Sequence, residues 1–173
     1  MEAQAAPAAP PGDLSVRRSL EPGDLGAIAA FHGRQYTSEY GVDALFEGGV
    51  LGSLAKAGEG GFPREGEGIW LVELDDVLSG VAGLTNEGDG EARIRWVLLA
   101  PELRGRGIGR TLIGEAVDLA RRAGYERVTL ETFSELRAAA AIYRSHGFEV
   151  VWARTGPMWG RAELTYQRYE LKL

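Results

Sequence analysis

Leu103-Arg104-Gly105-Arg106-Gly107-Ile108-Gly109-Arg110-Thr111 is the stretch on which the rest of the chain turns. An apolar run, Ala92 to Leu99, comes before it. After it, Leu112, Ala116, Leu119 and Ala123 recur with Ile108 at the ~3.6-residue period of one helix face. The spacing predicts a strand, a glycine turn and a helix over 92–123. Gly124 ends the helix, and Arg127 to Phe133 predicts a second strand. A strand–helix–strand unit of this kind has parallel strands and a right-handed crossover.

The flanks extend the pattern. Ile69 to Leu74 and Val77 to Leu84 predict two strands joined at Asp75-Asp76, with a second turn at Asn86 to Gly90, so their pairing is antiparallel. Ser15 to Leu20 predicts a first strand, and Asp24 the N-cap of a short helix through Phe31. Residues 41–57 read as a helix interrupted by Gly48, Gly49 and Gly52, and Gly58 to Gly68 as a loop. An Ala-rich helix runs to His146 and stops at Gly147. The tail, Phe148 to Leu173, reads as two strands flanking a loop at Thr155 to Ala162. The expected architecture is one mixed α/β domain over 14–173, with a mostly antiparallel twisted sheet and a parallel βαβ unit at 92–133. Residues 1–13 are Ala/Pro-rich and read as a disordered lead-in.

Composition narrows the chemistry. Lys and Arg total 19 against 25 Asp and Glu, a net charge of −6, and only Lys56 and Lys172 are lysines. An acidic total argues against nucleic acid and anionic membranes as partners. Cysteine is absent from the 173 residues, which excludes disulfides, a thiolate nucleophile and thiolate metal sites, and no metal is expected. No apolar run approaches the ~20 residues of a membrane span, and no signal-peptide pattern opens the chain. A cytoplasmic protein is expected.

The glycine turn is suited to an anion. Glycines at alternate positions leave main-chain N–H groups unobstructed at the positive end of a helix dipole, with Arg104, Arg106 and Arg110 alongside. A pyrophosphate is the natural guest. The dinucleotide fingerprint fails, because Gly is required where Arg110 or Leu112 stands. The Walker-type loop fails too, since Gly109-Arg110-Thr111 lacks its lysine and Arg104 replaces its first glycine. The competing reading is a tight strand-to-helix turn beside solvated arginines.

Arg104-x-x-Gly107-x-Gly109 after an apolar strand resembles the acetyl-CoA-binding motif of the GNAT superfamily of N-acetyltransferases. Ala138 to Phe148 (AAAAIYRSHGF) resembles that family's Ala-rich helix, which carries a Tyr and ends in Gly-Phe. Phe31 to Phe46 and the aromatic tail resemble the branch found alone or fused behind winged-helix regulators. The resemblance implies a sheet of six to seven strands with helices on both faces. It implies that the main chain of Val97, Leu98 and Leu99 pairs with the pantetheine arm of acetyl-CoA, a form of strand addition. It places the pyrophosphate on Arg104, Gly105, Arg106, Gly107, Ile108, Gly109 and Arg110, with Thr111 assisting from the first helical turn. Leu136 departs from the family, many of whose members have an Asn there contacting the cofactor; Thr132-x-x-Glu135 is a candidate cap for the helix that follows.

Acetyl transfer to an amine requires loss of an amine proton, a donor for the oxyanion and a proton for the departing thiolate. Without cysteine there is no cysteinyl acyl-enzyme, and the resemblance implies direct attack in a ternary complex. Tyr143 matches the family's general acid; a core tyrosine packed on the sheet is the alternative. Glu131 precedes Tyr143 by twelve residues, as the catalytic Glu does in the branch that acetylates ribosomal-protein N-termini. An Arg-paired carboxylate at a sheet edge is the alternative for Glu131. Glu73, Glu91 and His32 are weaker candidates; His32 reads as decorating a helix end and His146 as a helix terminus. Tyr36, Tyr40, Trp159 and Tyr166 fall in segments that line the acceptor cleft in related proteins, or else serve as core. Asp43 and Glu47 are carboxylates that could attract an amine. The expectation is an acetyl-CoA-dependent N-acetyltransferase acting on a primary amine of a small molecule or peptide. The other class is a non-catalytic acyl-CoA-binding sensor. The family's frequent use of its C-terminal strands for pairing makes a homodimer an open expectation.

Overall fold

Asp75 and Asp76 sit at φ 51° and 61°, the paired left-handed conformation that closes a two-residue hairpin with the right twist. They join β2 (Gly68–Leu74) to β3 (Val77–Gly88) in a computed structural model that describes residues 12–173. The remaining strands are β1 (Leu14–Arg17), β4 (Glu91–Leu99), β5 (Arg127–Phe133), β6 (Glu149–Met158) and β7 (Arg161–Lys172). They form one seven-stranded sheet in the order β1-β2-β3-β4-β5-β7-β6. Every pairing is antiparallel except β4 with β5, so the mixed α/β sheet with one parallel unit is as expected. Residues 1–11 of the expected lead-in lie outside the described residues; the Asp13 N–H donates to the Asp75 carboxylate at 2.8 Å, and the Asp75 N–H donates to the Asp13 carbonyl at 2.9 Å.

Four helices cover the two faces: α1 (Asp24–Tyr40), α2 (Ala44–Glu59), α3 (Ile108–Arg122) and α4 (Arg137–Ser145). Under α3 and α4 lies a core containing Leu112, Ile113, Ala116, Ala140 and Tyr143. Under α1 and α2 lies another, containing Ile28, Tyr36, Phe46, Leu54 and Phe133. Residues of α3 buried against the sheet are Leu112, Ile113, Ala116, Val117 and Ala120. Ala123, counted into the stripe from spacing, is exposed at the helix end.

Several elements differ from expectation for local reasons. The first helix does not stop near Phe31 but runs to Tyr40, so His32, Tyr36 and Tyr40 share a face at intervals of four. Its N-cap is Gly23; Asp24 is the first helical residue, with its carboxylate on Arg17. The strand predicted to end at Leu84 continues to Gly88, leaving Asp89 and Gly90 as the turn. The expected tail loop at 155–162 shrinks to Trp159 (φ 49°) and Gly160 (φ 78°), because this pair supplies the left-handed turn that lets β6 and β7 continue to it. The expected Thr132–Glu135 cap does not form: Thr132 is buried in β5, Glu135 pairs with Arg161, and the N-cap of α4 is Leu136, which makes no side-chain cap.

One irregularity shapes the site. β4 and β5 pair only from Glu91↔Arg127 to Arg93↔Thr129. Beyond that, Trp96 at φ 55° interrupts β4, and its register with β3 shifts. Before the break Ala92 and Ile94 join the core under α3; after it Trp96 and Leu98 join the core under α1 and α2. This one-residue slip is the signature of a β-bulge, which bends its strand. Gly83 accommodates it, since a Cβ there would meet the Trp96 ring at 2.6 Å. The parallel strands therefore part company toward Leu99 and Phe133.

Candidate active site

The first half of the site is main chain. After a 3₁₀ turn at Pro101–Leu103, Gly105 (φ 73°) and Gly107 (φ 82°) carry the chain into α3, with Gly107 as its N-cap. Both need the left-handed region that L side chains avoid. A Cβ on either would meet nothing within 4 Å, so both α-carbons face open space. Gly109 is different: its Cβ would lie 3.2 Å from Ile142 Cδ1, so this glycine lets α3 approach α4. The N–H groups of Gly107, Ile108, Gly109 and Arg110 have no backbone acceptor among the described residues, as expected of a helix N-terminus. Open space in front of uncommitted donors and the positive end of a 15-residue helix fits a pyrophosphate.

The flanking side chains divide. Arg104 donates through Nε to the Leu99 carbonyl at 2.9 Å and through its terminal nitrogens to Glu39 at 2.8 and 3.0 Å. Burial works against the ionised Glu39, yet these bonds from Arg104 hold its carboxyl below the usual carboxylate range. Arg106 donates to the Glu102 carbonyl at 2.9 Å. The Thr111 hydroxyl donates to the Gly107 carbonyl at 3.2 Å. His146 Nε2 lies 3.2 Å from the Arg110 carbonyl. Val97 and Leu99 pack toward α3, and Leu98 toward α1 and α2, on the strand edge that β5 leaves uncovered.

The second half is a cavity of about 250 Å³ between the parted strands, beneath α1 and α2. Tyr143 enters it from α4, and Glu131 and Phe133 from β5. The Tyr143 ring packs on Phe148 and Tyr169 with centroids 6.2 and 5.7 Å away, while its hydroxyl has no hydrogen bond among the described residues. Burial, then the neighbouring Tyr169, raises its pKa well above the ordinary tyrosine value, so it keeps its proton at neutral pH. Glu131 accepts a hydrogen bond from the Tyr166 hydroxyl at 2.9 Å and stands 3.6 Å from Arg93 and 3.7 Å from Arg168. Burial first, and Glu131 second, raise the pKa of Tyr166.

The aromatic candidates come together. Tyr36 stacks on Phe46 at 4.6 Å, Phe133 meets Trp159 at 5.4 Å, and Trp159 meets Tyr166 at 5.6 Å. Tyr40 lies 5.4 Å from Tyr36 but does not line the cavity. The β6–β7 turn places Trp159 here by docking on α2: the Asp43 N–H donates to the Trp159 carbonyl at 2.9 Å. Asp43 itself caps α2 through the Leu45 N–H, and Glu47 is exposed. Glu73 pairs with Arg17 and Glu91 with Thr129, Arg127 and Arg168, all away from the cavity lining. Leu136 packs in the core under α1 and α2.

His32 is placed differently from its sequence reading as a helix-end residue. It lies in the middle of α1, 2% exposed, on the cavity wall. Its Nδ1 donates to the Ile28 carbonyl at 2.9 Å, its ring stacks on Tyr36 at 5.8 Å, and its Nε2 has no partner. Burial pushes its pKa down to about 4, so the ring is neutral near pH 7. Sequence reasoning also passed over Arg93, Trp96, Phe46 and Phe133. The glycine at position 83 was the available signal for the bulge that turns Trp96 inward. Among the described residues no cluster of His, Asp and Glu could hold a metal ion, and no helix is long and apolar enough to cross a membrane.

The pattern of the acetyltransferase (GNAT) family matches residues 29–148. YjgM, an uncharacterized N-acetyltransferase of Escherichia coli (strain K12), is 31% identical over 141 residues, 78% of this chain and 81% of its own. Streptothricin acetyltransferase of Streptomyces lavendulae is 30% identical over 150 residues, 76% of this chain and 79% of its own. Among solved structures, a GNAT-family acetyltransferase from Staphylococcus aureus Mu50 superposes with a TM-score of 0.71 at 14% identity, covering 93% of this chain and 99% of that one. yncA from Salmonella typhimurium, solved with its cofactor acetyl-CoA, gives 0.66 at 22% identity, covering 94% and 95%. At these identities the structural likeness is one of fold.

Proposed function

The chain belongs to the acetyltransferase (GNAT) family, and on that premise we propose that it moves an acetyl group from acetyl-CoA to a primary amine of a small molecule or peptide by direct attack in a ternary complex. When bound, acetyl-CoA supplies an activated thioester acetyl with a thiolate leaving group. The chain's own residues do the rest. Gly107, Ile108, Gly109 and Arg110 present main-chain N–H groups to the pyrophosphate. Val97, Leu98 and Leu99 offer the uncovered edge of β4 to an extended amide-bearing arm. Tyr143 is the general acid: burial keeps its hydroxyl protonated, ready to give that proton to a developing anion. Glu131 is the proton acceptor for the incoming ammonium, by way of water, with the Tyr166 hydroxyl and Arg168 fixing the carboxylate. Tyr36, Trp159 and Tyr166 form part of the acceptor wall, and Tyr40 backs Tyr36.

The observation that carries this reading is Tyr143, a buried side chain on the wall of a cavity between parted strands, whose hydroxyl makes no hydrogen bond among the described residues. Tyr143→Phe tests it by thiol release against a panel of amines. The expected result is a fall in kcat of ~10²–10⁴-fold, with acetyl-CoA affinity within about twofold of wild type. Unchanged kcat removes Tyr143 from the mechanism. If acetyl-CoA binds but no amine releases thiol from the wild-type chain, the acyl-CoA-binding sensor becomes the better account.

A further inference from the structure

Arg93 is held unlike its neighbours. Its side chain is 17% exposed, on the cavity wall, and among the described residues none of its N–H groups makes a hydrogen bond. The carboxylate oxygens around it stand off at 3.5 Å (Glu91), 3.6 Å (Glu131) and 4.0 Å (Glu87), and its buried Nε has no partner. The guanidinium groups beside it are committed: Arg95 to Glu87 at 2.9 Å, Arg127 to Glu91 at 3.1 Å and Arg168 to Glu91 at 2.7 Å. In this network four guanidinium groups face three carboxylates, which leaves one positive charge in surplus. A guanidinium carries five donors in a fork matched to a carboxylate, and buried donors normally find partners.

Glu131 and Arg93 thus present opposite charges 3.6 Å apart on one wall of the cavity, without a hydrogen bond between them that a ligand would have to break. That arrangement complements a molecule whose ammonium and carboxylate sit on one carbon. Phe46, Trp96, Phe133 and Trp159 supply apolar surface to the same cavity.

Building on the acetyl-transfer reading, we propose that the acceptor is a free α-amino acid with an apolar or aromatic side chain, its carboxylate held by Arg93 and its amino group at Glu131. On transfer one N–C bond forms and the thioester C–S bond breaks. The ammonium gives up two protons: one leaves to solvent by way of Glu131, the other balances the proton that Tyr143 places on sulfur. The carboxylate passes unchanged into the N-acetyl amino acid.

The test is calorimetric titration of the chain, with and without CoA, against the twenty L-amino acids and their carboxamides, with thiol release measured in parallel. At least one apolar amino acid should bind tenfold or more tighter than its amide. Arg93→Met should remove that preference while leaving CoA affinity unchanged, and Arg93→Lys, which retains the charge without the fork, should retain part of it. Amides bound as well as the acids, no amino acid bound at all, or a preference that survives Arg93→Met would each overturn the proposal. Thiol release with simple amines and no carboxylate preference would sink this inference and leave acetyl transfer standing. Amino-acid preference with no thiol release would leave the carboxylate site at Arg93 standing but remove acetyl transfer, and with it the amino acid's role as acceptor.

Discussion

Around Gly107 the chain offers main-chain donors, two α-carbons facing open space and no side chain between them. Around Phe133 it offers the reverse: Tyr36, Phe46, Trp159 and Tyr166 brought from α1, α2, the β6–β7 turn and β7, with rings packed 4.6–6.5 Å apart. The difference is one of what encodes recognition. A cradle of N–H groups depends on backbone conformation, which a few glycines set within a dozen residues. A wall of side chains depends on which residues meet after folding, and these are drawn from across 36–166. The first suits a cofactor shared by a whole family; the second suits an acceptor peculiar to one chain.

The largest effect should come from damaging the backbone half. Gly107→Glu forces an L side chain to φ 82° and places bulk and negative charge in front of the α3 donors. We expect acetyl-CoA affinity to fall by ~10³-fold, about 4 kcal/mol, measured by titration calorimetry. Unchanged affinity would remove the pyrophosphate from this turn.

The side-chain half should answer to pH. His32 has its pKa depressed from 6.5 to about 4 by burial. Below pH 6.5 the unfolded chain takes up a proton that the folded chain refuses, so stability is full above pH 6.5 and is lost as pH falls toward 4. The interval corresponds to ~3 kcal/mol. Denaturant unfolding of wild type at pH 7 and pH 4 should show at least that difference, since carboxylates depressed by ion pairs, such as Glu39, add to it, and His32→Phe should reduce it by about the His32 share. A wild-type chain equally stable at both values would place His32 in contact with water.

The smallest effect separates the glycines from one another. Gly109 lies within α3, and its Cβ would press Ile142 at 3.2 Å and Leu99 at 3.5 Å without standing in the open space. Gly109→Ala combines a helix-propensity gain of ~0.5–1 kcal/mol with a comparable packing cost. Stability should stay within about 1 kcal/mol and acetyl-CoA affinity within about threefold, as thermal unfolding and calorimetry would report. A loss rivalling that of Gly107→Glu would mean that all three glycines face the cofactor.

The contrast between the halves also explains what could be read in advance. The βαβ unit, the hairpin at Asp75-Asp76 and the glycine turn into α3 were legible because each is local: a period, a turn pair, a glycine spacing. The reach of α1 to Tyr40 was not, because Gly33 interrupts its pattern and tertiary packing decides it. His32 was misplaced with it. Trp96 was missed because a bulge reverses the alternation that spacing arguments assume, and Gly83, which makes room for it, lies on another strand. Arg93 drew no notice because its meaning lies in hydrogen bonds it does not make, which are visible only once Glu87, Glu91 and Glu131 are placed around it.

Thermal unfolding with acetyl-CoA, free CoA and ATP tests the central claim most directly. A ligand at ~100 times its Kd stabilises the folded chain by about 2.7 kcal/mol, several degrees in Tm for a domain of this size. The predicted result is a shift of that order with acetyl-CoA and with CoA, and none with ATP. No shift at millimolar acetyl-CoA, or an equal shift with ATP, would contradict the claim that Gly105 to Arg110 hold the pyrophosphate of this cofactor.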